Sequence, residues 1–344
     1  MRPTSLPALT GLRFFAAMTV VAYHFAPLPL LNGSLAGPTA VMLFFMLSGF
    51  ILTYTAQKGT SPRVFYVARI ARIYPVYVLA LGLAALLLFP LGMYRESAWC
   101  PAPSQALPEV LLLLQAWWPV RMDCLDGPAW TLSCEAFFYL LFPFLLPLVQ
   151  RVPARLCGCA VVICWFGGLV IPVLDLPSPL AFLPTFVFGM LVGHLYLGGR
   201  RMWSPRFLLV VALCCLVLGQ RGIPLPDAVT EALLWPACAV VLCVLSTGTN
   251  AIARLLAQLP LVMLGDAGYG LYILHAPLYN ILLVGGVFSH WGAHTWAGFA
   301  MYGGGAIAVS LLSLRLLETP ARRAIRAALA PQRRDRVRQD TIAA

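Results

Sequence analysis

The sequence predicts an all-α polytopic membrane protein with about ten transmembrane helices, on the basis of two observations. Of its 344 residues, 61% are hydrophobic and only 10% are charged, whereas soluble domains carry about 25% charged residues. The apolar residues also form long runs that end at charges or at turns rich in proline and glycine. Runs of this kind are typical of helices that cross a bilayer.

Ten apolar runs are predicted to span the membrane, and together they form one transmembrane domain, 1–320, followed by a basic tail, 321–344. The shorter run 106–118 would reach only about 20 Å as a helix, so we predict a re-entrant or interfacial helix on the outer side. The ten spans lie at roughly 8–27, 38–56, 72–94, 129–150, 156–174, 180–198, 207–220, 229–248, 266–289 and 296–317.

The basic residues predict the orientation of these spans. The chain has a formal net charge of +11 and contains 23 Lys and Arg residues. If the N-terminus is cytoplasmic, all but four of these residues lie on the cytoplasmic side of the membrane. Arg13 lies inside a span, and the outer loops contain Arg95, Arg121 and Arg221. Because Lys and Arg gather in cytoplasmic loops, both termini are predicted to be cytoplasmic, in an integral plasma (inner) membrane. The predicted partner is therefore the lipid bilayer and not nucleic acid.

The ten cysteines divide by location. Eight lie in or at the ends of spans, where free cysteine behaves as a small apolar residue, and no metal site is predicted. Cys100 and Cys124 share the large outer loop, where an oxidising compartment would favour a disulfide between them.

The first span, LTGLRFFAAMTVVAYHF (9–25), carries Arg13 and His24. Their separation of eleven residues is about three helical turns, so both project from one face, about 16 Å apart. Ionisable groups are costly in lipid unless they are paired or face a cavity, which favours a polar tunnel. Two alternatives stay open: Arg13 snorkels while His24 is hydrogen-bonded in the bundle, or the segment is a cleaved signal peptide.

The fourth span carries Glu135 about 9 Å from its outer end, at a depth comparable with that of His24. A carboxylate beside an imidazole orients the ring and raises its basicity, as general-base chemistry requires. The alternative is a structural ion pair between the two side chains. The neighbouring Trp130, Ser133 and Tyr139 are expected to contribute packing and local hydrogen bonds.

Two further sets of polar residues lie in or beside the spans. Arg69 and Arg72 are spaced i, i+3 and share a helix face, which suits phosphate binding, although such residues are usually membrane anchors. His275 is predicted about 14 Å into the ninth span, with Tyr269 and Tyr272 together on one face.

Five motifs, taken in order, resemble those of the membrane acyltransferase-3 family of O-acyltransferases. The stretch 9–25 matches the family's arginine–histidine signature, and LFFMLSGFIL (43–52) matches its second helix. RIARIYPVY (69–77) matches its Arg-x-x-Arg segment. WTLSCEAFFYLLFP (130–143) and GYGLYILHAP (268–277) are similar to its Trp-Ser-Leu-x-x-Glu and Ser-Tyr-x-x-Tyr-x-x-His segments. The resemblance covers nearly the whole chain.

The chain departs from these motifs at two serine positions. Thr131 keeps the hydroxyl, whereas Gly268 removes one, so no role is assigned to it. The resemblance implies that 9–25 is retained as the first helix. It also implies transfer of an acyl group, often acetyl, from a cytoplasmic donor to a hydroxyl of an extracytoplasmic acceptor. Acceptors of the family include surface polysaccharides, lipopolysaccharide sugars, macrolides and other small products.

The residues and the resemblance together suggest a reaction scheme. Arg69 and Arg72 bind the phosphates of acyl-CoA, which is the donor substrate, and Arg13 guides it inward; no cofactor stays bound. His24, oriented by Glu135, removes a proton from the acceptor hydroxyl or, alternatively, forms an acyl-histidine intermediate. The residues expected to support this site are Trp130, Ser133, Tyr139, Tyr272 and His275.

A proton-coupled transporter or flippase of a glycan or small metabolite is the alternative function, because a polar tunnel would also suit transport. Transporters often contain two hydropathy halves with interrupted helices at matching positions. The pattern of Arg13 and His24 has no second copy in the sequence. The sequence therefore favours the enzyme.

Overall fold

A computed structural model gives an all-α protein. It describes residues 6–28, 34–56, 61–88, 103–119, 122–174, 176–199, 205–219, 227–292 and 295–329, and no β-strand is formed within these ranges. The helices are α1 (Pro7–Phe25), α2 (Ala36–Thr55), α3 (Pro62–Leu88), α4 (Pro103–Leu111), α5 (Trp130–Arg151), α6 (Ala154–Val170), α7 (Ser178–Ala181), α8 (Leu183–Leu197), α9 (Pro205–Gly219), α10 (Asp227–Leu233), α11 (Trp235–Ser246), α12 (Ala251–Leu256), α13 (Leu259–Val284), α14 (Phe288–Trp291), α15 (Trp296–Ser313) and α16 (Thr319–Leu329).

Each of the ten predicted spans overlaps a helix of the structure, and the predicted span 229–248 comprises two helices, α10 and α11. Within the described residues, eight helical stretches are long and apolar enough to cross a membrane, which confirms a polytopic all-α protein. Helices α6 and α9 are shorter, at 17 and 15 residues. Several helices, among them α1, α7, α8, α11 and α13, have proline in the first two positions. Proline suits these positions because the N–H groups there have no partner within the helix.

Two helices begin earlier than the apolar runs predict. Helix α3 begins at Pro62 and not at 72, and α13 begins at Leu259 and not at 266. The predicted starts lie at a charged residue, Arg72 or Asp266, whereas each helix in the structure already begins several residues before that charge. His275 is therefore 16 residues, or about 24 Å, from the start of α13 and close to its other end.

Helix α1 packs against α2, α12 and α13. It comes close to α13 at Gly265, where an added Cβ would collide with the backbone carbonyl of Thr10. Gly49 and Gly189 allow a similar approach of α2 to α8. Small residues at helix crossings let two backbones come close in a membrane. Gly265 therefore determines how near the polar face of α1 lies to α13.

We expect Gly265→Ala to destabilise the protein, because the new methyl group has no space beside the Thr10 carbonyl. Overpacking of this kind costs about 1–3 kcal/mol. The measurement is the thermal unfolding temperature of the detergent-purified protein. The matched control is Gly304→Ala on α15, where no atom lies within 4 Å of the added Cβ. Equal unfolding temperatures for Gly265→Ala and the wild type would contradict the close-packed crossing.

The segment predicted to be re-entrant or interfacial does not form a span in the structure. It begins as the nine-residue helix α4 and turns at Leu113, where φ is 58°. Gln115 is fully buried, and its amide donates to the carbonyl of Ala129 at 3.1 Å and to the Tyr77 hydroxyl at 3.4 Å. Tyr77 in turn donates to the carbonyl of Val110. These bonds hold the segment against α3 and the beginning of α5.

Cys124 is bonded in a disulfide, while the eight cysteines from Cys134 to Cys243 are free. Cys100, its predicted partner, lies outside the described residues.

At the other end of the chain, α15 continues through a π-helical turn, Leu314–Glu318, into α16. The buried Glu318 accepts a hydrogen bond from Arg322 at 2.5 Å, and α16 packs on α3. Helix α16 crosses the predicted domain boundary at residue 320.

Candidate active site

The first of two neighbouring cavities in the bundle is lined by three arginines, and we name it the arginine cavity. Arg13 comes from α1, and Arg69 and Arg72 come from α3. One carboxylate, that of Glu135 on α5, faces the same space. The cavity encloses about 70 Å³, room for about two water molecules. Its three guanidinium groups outnumber its carboxylate, so the space suits an anion.

The side chain of Arg69 is held by aromatic rings and not by a carboxylate. Its guanidinium carbon lies 5.6 Å from the ring centre of Phe65 and 5.6 Å from that of Tyr139, within the range of cation–π contacts. Its buried Nε has no hydrogen-bond partner in the described part of the chain. The Tyr139 hydroxyl lies 3.2 Å from the Ser48 hydroxyl. Arg69 therefore keeps donor capacity for a further ligand.

Glu135 lies among the arginines. Its carboxylate is within hydrogen-bonding range of Tyr139 and feels the positive charges of Arg72, Arg69 and Arg13. The predicted pairing of Glu135 with His24 is not formed in the structure, because His24 lines the second cavity and Glu135 does not. The physical reason is depth, because His24 is the penultimate residue of α1, whereas Glu135 lies more than a turn inside α5.

The second cavity, which we name the histidine cavity, encloses about 600 Å³. It opens at the end of α1 that carries Phe25, which the charge distribution predicts to be extracytoplasmic. His24 is exposed to it, and His275 lines it while being fully buried. A volume of this size is usual for small-molecule sites, which occupy about 300–1,000 Å³.

The two histidines meet between α1 and α13. Nδ1 of His24 lies 2.9 Å from the carbonyl oxygen of Val20 and 3.4 Å from Nε2 of His275. Nδ1 of His275 lies 2.6 Å from the carbonyl oxygen of Tyr272. The backbone carbonyl of His275 accepts a hydrogen bond from the Tyr302 hydroxyl at 2.9 Å. The ring of His275 is thus anchored at both of its nitrogens.

These contacts assign the tautomer of each ring. A carbonyl oxygen only accepts hydrogen bonds, so Nδ1 of His24 and Nδ1 of His275 each carry a proton. The neutral His275 then accepts at Nε2 and shares the Nδ1–H of His24 with Val20. Nε2 of His24 has no partner in the described part of the chain and retains its lone pair. The site therefore presents a basic nitrogen to the histidine cavity.

Val41 and Tyr272 line both cavities and separate them. The Tyr272 hydroxyl donates to the carbonyl of Pro128 at 3.3 Å and lies 3.1 Å from the Thr131 hydroxyl. The Thr131 hydroxyl donates to the Tyr272 hydroxyl and also lies 3.0 Å from the carbonyl oxygen of Pro128. Thr131, the substitute for the usual serine, therefore holds the partition in place through its hydroxyl.

The remaining predicted residues fall into separate roles. Trp130 lines the histidine cavity, with its ring centre 5.4 Å from that of Phe182. The Ser133 hydroxyl accepts from the backbone amide of Ala116 at 3.4 Å, so it ties α5 to the outer segment. Tyr269 donates to the carbonyl of Ile73 at 3.2 Å and lines the arginine cavity.

Sequence reasoning missed two residues of the histidine cavity, Asp123 and Glu231. Glu231 had a usable signal, because it is an ionisable residue inside the predicted span 229–248. Asp123 had none, since it lies in a loop whose position depends on the fold. The direct contact of His275 with His24 was also missed, because the predicted start of α13 misplaced the depth of His275.

The bundle thus has a histidine that faces one cavity and three arginines that face the neighbouring cavity. Comparison with similar proteins identifies a bundle of this kind as a multi-pass membrane acyltransferase. Residues 6–315 match the acyltransferase-3 family model, described as an acyltransferase domain. The chain belongs to this family and is an acyltransferase.

Three relatives illustrate the similarity. Acyltransferase MdmB of Streptomyces mycarofaciens is 29% identical over 92% of this chain and 89% of its own length. Exopolysaccharide production protein ExoZ of Rhizobium meliloti is 30% identical over 85% of this chain and 91% of its own length. Peptidoglycan O-acetyltransferase OatA of Listeria monocytogenes is 24% identical over 92% of this chain and 56% of its own length. No solved structure matches the chain.

Proposed function

We propose that the protein transfers an acyl group, most simply acetyl, from cytoplasmic acyl-CoA to a hydroxyl of an extracytoplasmic carbohydrate or related compound, in the plasma (inner) membrane. The observation that carries the proposal is the position of His24. Its free Nε2 faces a cavity of about 600 Å³, and Arg13 of the same helix faces the arginine cavity on the other side of Tyr272. An anion-binding region and a basic nitrogen thus lie along one helix.

Donor binding is assigned to the arginine cavity. Arg69 and Arg72 lie on α3, toward the end predicted to be cytoplasmic, where the diphosphate of coenzyme A stays close to water. Arginine suits phosphate because its planar group donates two parallel hydrogen bonds. Arg13 is the next positive charge toward Tyr272. The present volume of about 70 Å³ cannot hold the donor's thiol arm, so the partition at Val41 and Tyr272 moves aside when the arm enters.

The acceptor hydroxyl lies at Nε2 of His24, which accepts its proton. The hydroxyl oxygen attacks the thioester carbonyl carbon, a carbon–oxygen bond forms, and the carbon–sulfur bond breaks. His24 then returns the proton to the departing thiolate, so the products are an ester and free coenzyme A. A positioned base contributes about 10²–10⁴-fold to such a reaction. Val20 and His275 stabilise the protonated ring by accepting from its Nδ1–H.

Glu135 has a positioning role in this account. A carboxylate among three guanidinium groups reduces their mutual repulsion. Trp130 forms an aromatic wall for the acceptor, and Ser133 and Tyr139 hold the surrounding helices. Each of these side chains acts through its contacts with neighbouring residues, and none takes a direct part in the chemistry.

The test is acyl transfer by the detergent-purified protein supplied with acetyl-CoA. We expect free coenzyme A thiol to appear, and its rate to rise when methyl glucoside or methyl glucosaminide is added as a hydroxyl acceptor. Mass spectrometry of the glycoside should detect one added acetyl group. Absence of both thiol release and acetylation, together with proton-coupled uptake of the glycoside into vesicles, would contradict the proposal and favour a transporter.

His275 is expected to act by positioning His24. Replacing it by Leu removes one of the two acceptors for the His24 Nδ1–H and leaves the carbonyl of Val20. The kcat should therefore fall by about 10-fold, the lower end of the loss seen when a histidine loses an orienting partner. The donor KM should not change, since His275 does not line the arginine cavity. His275→Gln restores an acceptor oxygen and should recover part of kcat. Equal losses in the Leu and Gln variants would contradict the positioning role.

A further inference from the structure

The histidine cavity is acidic. Asp123, which precedes the disulfide-bonded Cys124, and Glu231 of α10 both line it and are half-buried. Among its described lining residues there is no Lys or Arg. The neighbouring arginine cavity has the opposite character, with three arginines and one carboxylate. The two ends of the site therefore differ in the sign of the charge that they attract.

Neither carboxylate has a cationic partner within the part of the chain that the structure describes. The described ion pair, Glu318 with Arg322, lies at the other end of the bundle, on α16. A carboxylate that is partly removed from water and has no cationic partner is costly. Burial raises the pKa of Asp123 above its usual range. A cation in the cavity would relieve this burial cost.

The walls of the cavity suit a sugar. Trp130 and Phe182 contribute one aromatic surface, and Tyr23 and Phe25 contribute another. Aromatic faces pack against the apolar faces of rings and attract cations. The volume of about 600 Å³ accommodates a compound of one to a few rings beside His24.

We infer that the acceptor carries a protonated amine near the hydroxyl that is acylated, as an amino sugar or an amine-bearing glycoside does. Asp123 and Glu231 bind the ammonium group, and Trp130 packs against the ring. This arrangement presents the hydroxyl to Nε2 of His24. The inference rests on the proposed function, because it identifies the acceptor class of the same site. An acceptor that carries a carboxylate, such as a uronic acid, is disfavoured by repulsion from both side chains.

The test compares three matched probes on the detergent-purified full-length protein: methyl glucosaminide, methyl glucoside and methyl glucuronide. Calorimetry measures the affinity for each probe without any requirement for catalysis. We expect the amine to bind at least about 10-fold more tightly than the neutral glycoside, and the carboxylate more weakly than both. Equal affinities for the amine and the neutral glycoside would overturn the inference.

Two variants test which residues bind the amine. Asp123→Asn and Glu231→Gln should each weaken binding of methyl glucosaminide by about 10-fold and so reduce its advantage over methyl glucoside. The control is Asp266→Asn on α13, which is exposed and lines neither cavity. Normal amine binding by both test variants would overturn the assignment. If neither variant folds, the order in which the wild type binds the three glycosides tests the inference by itself.

Coenzyme A release with methyl glucoside separates the two proposals. Release without any preference for the amine would leave the proposed function standing and remove this inference. Preferential binding of the amine without any release of coenzyme A would contradict the proposed function and leave this inference standing.

Discussion

Replacing His24 by Ala is expected to lower kcat by about 10²–10⁴-fold, because the variant loses the base that accepts the acceptor proton. Donor affinity should stay within about twofold of the wild type, since His24 does not line the arginine cavity. The measurements are the acetylation rate at saturating substrate and the dissociation constant of acetyl-CoA by calorimetry. Together they separate loss of chemistry from loss of binding.

The matched control for this variant is His194→Ala. His194 is another histidine of the bundle, with its Nε2 bonded to the carbonyl of Val152 at 3.1 Å, but it lines neither cavity. Its replacement should leave kcat unchanged. Loss of acetyl-CoA binding in His24→Ala, with normal binding in Arg69→Ala and Arg72→Ala, would show that the donor enters from the other end.

Replacing Arg69 or Arg72 by Ala is expected to raise the donor KM by about 10- to 100-fold, the effect of losing a charge-assisted hydrogen bond to phosphate. The kcat at saturating donor should change much less, because neither side chain lines the cavity that holds His24. Arg→Lys should restore only part of the affinity, since Lys lacks the planar pair of donors. Initial rates at varied acetyl-CoA give both constants.

Arg254→Ala provides the control for these variants. Arg254 lies on α12, exposed and outside both cavities, and its removal lowers the net positive charge equally. A donor KM that rises as much in Arg254→Ala as in Arg69→Ala would indicate a general surface attraction, and the arginine cavity would lose its assigned role.

The all-α, multi-pass class follows from the sequence because each span must bury about twenty consecutive apolar residues in lipid. The number of spans follows less well, since eight helical stretches of the described residues, and not ten, are long and apolar enough to cross a membrane. The boundaries do not follow, since a helix continues after its apolar run ends. Helix α3 extends from 72 back to Pro62, so Arg69 and Arg72 belong to the helix itself. Their shared face, predicted from the i, i+3 spacing, contributes to the arginine cavity.

The contacts of His24 could not be predicted from the sequence. The predicted depth of a residue in the membrane depends on where its span begins. The predicted start of α13 is seven residues, or about 10 Å, from the start in the structure. That error separated His275 from His24 and left Glu135 as the apparent partner. The rotation of α5, which turns Glu135 toward the arginines, depends on packing between helices, which a single sequence does not contain.

The central claim is that donor and acceptor approach His24 from opposite ends of the bundle, and a sided assay tests it most directly. Sealed right-side-out membrane vesicles are loaded with labelled acetyl-CoA, which does not cross lipid, and methyl glucosaminide or methyl glucoside is supplied only outside. We predict labelled acetylated glycoside outside the vesicles with the wild type and none with His24→Ala. Labelled product that forms only when both substrates are on the same side of the membrane would contradict the account.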